Sequence, residues 1–169
     1  MNKHKLMVLG LSAVLFASSC KKNDLQNSVA QASPAKAVQS SEWKSISNWS
    51  TQSQENYKVY SSNVQDSAIS SAVASQGLVL AYKKNGSTVS ALPYEEKAGT
   101  GSYFWYYQVS QGGIAIMADA YGGATTPANS LGFKYFVISA DKLSQLESAG
   151  HSKAELMKLS YDEASALLK

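Results

Sequence analysis

Residues 77–92 read Gly-Leu-Val-Leu-Ala-Tyr-Lys-Lys-Asn-Gly-Ser-Thr-Val-Ser-Ala-Leu, and Pro93 follows. Gly77 to Lys84 is an apolar run that ends in lysines. Ser87 to Leu92 returns from it and stops at the proline. Between the two stands Asn85-Gly86, a pair suited to a type I′ turn, whose central residues both need φ > 0. The stretch predicts a β-hairpin.

Further along the chain, Ser102–Ser110 (SYFWYYQVS) and Gly113–Ala120 (GIAIMADA) form a second predicted hairpin, joined near Gln111-Gly112. Leu131–Ser139 (LGFKYFVIS) is the last strand. Its Phe133, Tyr135 and Val137 share one face while Phe136 and Ile138 share the other, the pattern of a strand covered on both sides. Tyr121–Ser130 is a loop by composition. Toward the N-terminus, Tyr57–Tyr60 is short and edge-like, and Trp43–Trp49 alternates weakly. In Val64–Ser75, Val64, Ala68 and Ala72 recur at helical spacing, as do Ile69 and Val73, which predicts a short connecting helix.

The chain closes on helical turns. Asp141–Ser148 is one, and Ser152–Glu155 and Ser160–Glu163 each have the S-x-x-E form of a capping box. About seven short strands with hairpin signals, followed by these helices, give the fold class. It is mainly β: an antiparallel β-sandwich with short C-terminal helices over 141–169.

Ahead of the domain, Met1–Lys5 is basic and Leu6–Phe16 is an apolar stretch of eleven residues. That length is too short to span roughly 30 Å of hydrocarbon, which takes about 20 residues, and it suits a signal peptide. Ala17-Ser18-Ser19 and then Cys20 follow. Leu-Phe-Ala-Ser-Ser-Cys resembles a bacterial lipobox, with Ala17 where an aliphatic residue is usual. The resemblance implies diacylglycerol on the Cys20 thiol and cleavage just before it. Cys20 is the chain's single cysteine, so it has no disulfide partner within the chain. Cys20-Lys21-Lys22-Asn23-Asp24 is also similar to the start of outer-membrane lipoproteins of the Bacteroidetes. Residues 1–19 thus read as a signal peptide, 20–41 as a flexible tether free of aromatic residues, and 42–169 as the domain.

From Trp43 onward the pattern resembles an uncharacterised lipoprotein domain of the Bacteroidetes. The resemblance rests on the early tryptophan, G-L-V-L-A-Y-K-K, Leu92-Pro93-Tyr94, G-F-K-Y-F-V-I-S and L-S-Y-D-E. The chain departs from it at Lys134, where arginine is usual, and at Ile138-Ser139-Ala140, where I-P-G is usual. What the resemblance implies is a β-sandwich and no particular activity.

Composition narrows the function. All 15 basic residues are Lys, and with Lys3 and Lys5 in the leader the mature chain is near charge balance against 12 Asp plus Glu. A near-neutral chain without arginine or a basic cluster argues against nucleic acid as a partner. His151 is the only imidazole beyond the leader. It precedes the Ser152 cap and reads as a solvated helix-entry residue rather than a catalytic base, and with Cys20 committed to lipid no Cys-His pair or usual zinc set can form. Glu95 and Glu96 are neighbours and point to opposite faces of a strand, so they make a poor acid/base pair. Asp162-Glu163 belongs to a helix start. No catalytic residue, metal or cofactor is expected.

One segment stands above background. Tyr103-Phe104-Trp105-Tyr106-Tyr107 puts Tyr103, Trp105 and Tyr107 on one face of a strand. If exposed, that face could stack on sugar rings or apolar ligands; otherwise the strand is covered on both sides. The expectation is a non-catalytic, membrane-tethered binding or accessory module. The alternatives are an envelope glycoside hydrolase whose carboxylates converge in the fold, and a purely structural lipoprotein.

Overall fold

The computed structural model describes residues 36–169. The leader, Cys20 and the expected tether up to residue 35 lie outside the described residues.

Ten strands form two antiparallel sheets. The first contains β1 (Val38–Ser40), β10 (Gly132–Ile138), β5 (Leu78–Asn85) and β6 (Thr88–Ala91) in that order, with β2 (Lys44–Ser45) also on the β1 side of β10. The second runs β3 (Ser50–Ser53), β4 (Tyr57–Gln65), β9 (Gly113–Tyr121), β8 (Gly101–Ser110), β7 (Tyr94–Ala98). Helix α1 (Ser71–Gln76) precedes β5, and α2 (Ala140–Ser148), α3 (Lys153–Leu156) and α4 (Tyr161–Leu167) follow β10. The expected antiparallel sandwich with terminal helices is the observed fold.

Two separate cores explain the layering. Val79 and Ala81 of β5 join Phe133, Tyr135 and Val137 of β10 to pack against Trp105, Ile114, Ile116 and Ala118 of the second sheet. Leu78, Leu80 and Tyr82, with Phe136 and Ile138, face the other way and meet Leu143, Leu146, Leu156, Ala164 and Leu168 from the helices. The first sheet is therefore covered on both sides, as the pattern of Leu131–Ser139 required. Both capping boxes form, with Ser152 and Ser160 each bonded reciprocally to Glu155 and Glu163.

Several elements differ from the sequence reading. Tyr57–Tyr60 is the start of a nine-residue interior strand paired with both β3 and β9. Val64 therefore belongs to that strand and not to a helix. An Asp66 carboxylate that accepts from Ala68 N–H at 2.9 Å turns the chain, and helix starts only after the Ser70 cap. Trp43–Trp49 contributes only the two residues of β2. The polar strands β3 (STQS) and β7 (YEEKA) were unforeseen, because edge strands are held by backbone pairing and carry no apolar signature. For the same reason Val38–Ser40, expected in the tether, pairs with Phe136–Ile138. The first hairpin turns one residue later than expected: Asn85 pairs with Thr88, and Gly86, at φ +59°, takes the first central position.

A charged clasp joins the two sheets. Lys83 points from β5 into the interior with a fully buried side chain. Its Nζ lies 2.9 Å from both carboxylate oxygens of Glu96 on β7 and 2.8 Å from the Tyr94 hydroxyl, which itself donates to Glu96 Oε2 at 2.6 Å. Trp105 Nε1 donates to Glu96 Oε1 at 3.2 Å, and the ammonium sits 4.9 Å from the Trp105 ring centroid. Burial alone would raise the Glu96 carboxyl, but hydrogen bonds from Lys83 and Tyr94 and the Lys83 charge outweigh it and hold it below its ordinary range. A carboxylate with a depressed folded-state pKa adds stability above its unfolded value and loses it as pH falls through the folded one. Glu96→Gln strands the lysine charge and is expected to cost roughly 2–4 kcal/mol at pH 7, toward the lower end of a broken buried pair because Glu96 keeps some solvent contact. Urea unfolding of wild type and variant at pH 7 and pH 3 checks this: the gap should narrow in acid. Glu155 and Glu163, held low by their caps, titrate equally in both proteins and cancel.

Candidate functional site

Strand β8 decides where a ligand can sit. Its pairing with β9 sets Tyr107 opposite Ile116, Trp105 opposite Ala118 and Tyr103 opposite Ala120, all inward-facing positions. Trp105 is fully buried and Tyr103 nearly so. Tyr107 packs against the same core and donates its hydroxyl to the Val79 carbonyl at 2.6 Å. The expected ligand strip of Tyr103, Trp105 and Tyr107 is thus structural. Tyr103 and Trp105 fill the space between the sheets, while Tyr107 is half-buried at its margin and lines a recess of about 180 Å³ beside α1.

The other face of β8 is open. Among the described residues α2, α3 and α4 cover the first sheet and α1 packs Val73 into the core between the sheets, so no helix lies over the outer face of the second sheet. Phe104 and Tyr121 are 40% and 39% exposed, and Tyr57 and Tyr106 are half-buried beside them. Register builds the arrangement. Tyr57 lies opposite Tyr121, and the rings stack with centroids 5.1 Å apart. Phe104 lies opposite Asp119, and two residues on, Tyr106 lies opposite Met117. Phe104 and Tyr106 stack at 5.7 Å. The four aromatics form a diagonal path over β4, β9 and β8. With strands about 4.8 Å apart and a rise near 3.4 Å per residue, two strands across and four residues along span on the order of 17 Å.

Polar groups punctuate this path. The Tyr106 hydroxyl donates to Asp119 Oδ1 at 3.1 Å. Glu95 pairs across from Phe104 on β7, and Lys97 from Ser102. Glu95 and Glu96 diverge as strand neighbours must, one to this face and one to the clasp. Asp162 and Glu163 begin α4. His151 stands in the α2–α3 link, its backbone N–H bonded to the Leu146 carbonyl. A recess of about 400 Å³ beside Tyr121 is walled by Glu95, Lys97, Thr100 and Ser102, and a larger cavity of about 620 Å³ opens beside Tyr57.

The sequence carried a signal for this face. A two-residue loop at Gln111-Gly112 pairs Ser110 with Gly113, and counting back places Ile116, Ala118 and Ala120 opposite the odd-numbered aromatics. The outward register then takes Met117, Asp119 and Tyr121 together with Phe104 and Tyr106. An aspartate in an otherwise apolar strand marks the solvent side. Tyr57 carries no such signal, because Tyr57–Tyr60 by itself has the pattern of a short edge strand.

Burial, then the negative charge of Asp119 and its acceptance of the phenol proton, push the Tyr106 hydroxyl up to about 12. Asp119→Asn removes the charge and is expected to bring Tyr106 back toward the ordinary value of about 10, measurable by ultraviolet titration of wild type and variant with Tyr106→Phe to assign the step. Comparison with known protein families, with curated proteins and with solved structures gives no match for this chain.

Proposed function

We propose that this protein is a lipid-anchored, non-catalytic module of the bacterial outer membrane that binds carbohydrate on the open face of its second sheet. The observation that carries the binding is the diagonal of Tyr57, Tyr121, Phe104 and Tyr106, with Asp119 set among the rings. Flat aromatic faces stack on the C–H faces of sugars, and carboxylate and phenol groups between them pair with hydroxyls. A path of this length suits an oligosaccharide better than a single ring. Glu95 and Asp119 flank Phe104, but neither recess beside the path holds both, which favours binding over hydrolysis.

The anchor rests on the leader, the small residues before Cys20 and the lone cysteine count. Stable attachment takes more than one acyl chain, each buried methylene contributing about 0.8 kcal/mol. The mature protein is expected to start at an acylated Cys20. Mass spectrometry of its N-terminus and palmitate labelling of a Cys20→Ser variant check this, and label retained by the variant would refute the anchor.

For the binding face, the mature chain is expected to retain glycans on an array. Phe104→Ala and Tyr121→Ala should each weaken binding roughly tenfold, the loss of about 1–1.5 kcal/mol of aromatic contact. Variants that bind as well as wild type would remove the face from the reading.

A further inference from the structure

The cavity of about 620 Å³ beside Tyr57 belongs to the inner side of the second sheet, not to its open face. The β4–β9 register sets Lys58 opposite Ala120 and Tyr60 opposite Ala118, positions that face inward. Lys58, Tyr60 and Ala120 floor the cavity. The turn at Gln54–Asn56 makes one wall and the 122–126 loop after β9 the other. Its volume lies within the roughly 300–1,000 Å³ range of small-molecule sites.

Both walls are pinned. Gln54 N–H donates to the Tyr57 carbonyl at 2.9 Å, which closes the turn. On the loop side, Ala124 N–H donates to the Tyr121 carbonyl and the Thr100 hydroxyl to the Gly122 carbonyl. A Cβ on Gly101 would lie within 3 Å of the Tyr121 and Ala124 backbone, so glycine there lets strand and loop close together. Preformed walls of this kind avoid the ordering cost of binding.

The floor holds an unused polar group. Tyr60 is only 3% exposed, and its ring packs into the core. Its hydroxyl makes no hydrogen bond among the described residues, yet it is not sealed from solvent. Other inward tyrosines spend their hydroxyls inside the protein: Tyr103 donates to the Thr125 carbonyl, Tyr107 to the Val79 carbonyl and Tyr135 to Asp66. A buried polar atom is normally paired, so the tip of Tyr60 is a free donor and acceptor at the base of the cavity. Glu55 and Lys58 also line it; both are exposed, and neither is ion-paired with the other or with any described residue.

We infer that this cavity binds a short peptide with both ends free, its ammonium at Glu55, its carboxylate at Lys58 and a peptide group on the Tyr60 hydroxyl. A purely anionic ligand would meet Glu55 and a purely cationic one Lys58. A zwitterion gains at both. The peptide group is donor and acceptor at once, which matches a hydroxyl able to be either. The inference is independent of the glycan reading, because the cavity and the aromatic path lie on opposite sides of the sheet.

The test is calorimetric titration of the full mature chain with Ala-Ala and Ala-Ala-Ala, their N-acetyl and C-amide forms, and glucose and N-acetylglucosamine as neutral polar controls. The free peptides are expected to bind, and blocking either end to weaken binding roughly tenfold, the loss of one charge-assisted contact. Glu55→Gln should erase the penalty of acetylation and keep that of amidation; Lys58→Gln should do the reverse. Tyr60→Phe should weaken the free peptides by roughly the same factor and leave the melting temperature of the ligand-free protein unchanged, since the hydroxyl it removes has no partner. Blocked peptides that bind as well as free ones overturn the inference, as does a Tyr60→Phe protein that binds like wild type. Displacement of the peptides by either sugar, or silence of the wild type toward every peptide, overturns it as well.

Discussion

Burying a lysine ammonium between two β-sheets costs several kcal/mol in desolvation, and Lys83 is tolerated only because every proton it carries has somewhere to go. Glu96 takes two contacts, Tyr94 a third, and the Trp105 ring lies beneath the charge. The demand runs in both directions. Satisfying Lys83 requires β7 to lie at the edge of the second sheet with its even-numbered side chains turned inward. That in turn fixes Trp105, which donates to the same carboxylate. Once Trp105 points inward, Phe104 and Tyr106 must point outward. The location of the aromatic face therefore follows from how one buried charge is neutralised.

The helices reinforce this asymmetry. Their apolar side chains cover Leu78, Leu80, Tyr82, Phe136 and Ile138, all on the first sheet. Tyr82 and Phe136 meet edge to face, and Tyr161 from α4 packs on both. Among the described residues the second sheet receives no such cover on its outer side. Its large side chains there either stack on one another, as Tyr57 does on Tyr121, or stand partly in water. A sandwich with one helical flank and one bare flank has a face free for a ligand without any change in its core.

Much of the architecture was legible. The hairpins around Gly86 and Gly112, the two-sided burial of β10 and both S-x-x-E caps each rest on local chemistry that residue order displays. Edge strands were not legible. Ser50–Ser53 and Val38–Ser40 are held by backbone hydrogen bonds that any residue except proline can make, so composition carries no mark of them. Lys83 misled in a quieter way. It read as a polar end to an apolar strand, whereas its partner lies thirteen residues away on the opposite sheet.

By itself, residue order determined which segments extend, where most of them turn and how the last helices begin, because those choices depend on neighbours within a few positions. The outward face of β8 is marked locally by Asp119 of its hairpin partner, but only tertiary structure decided that no helix lies over that face among the described residues. Alternation separates Tyr103, Trp105 and Tyr107 from Phe104 and Tyr106, but both sets are aromatic and either could fill a core. The choice fell to the partner strand, which brings Ile116 and Ala118 to one side and Asp119 to the other, and to the cross-sheet charge that holds Trp105 inside.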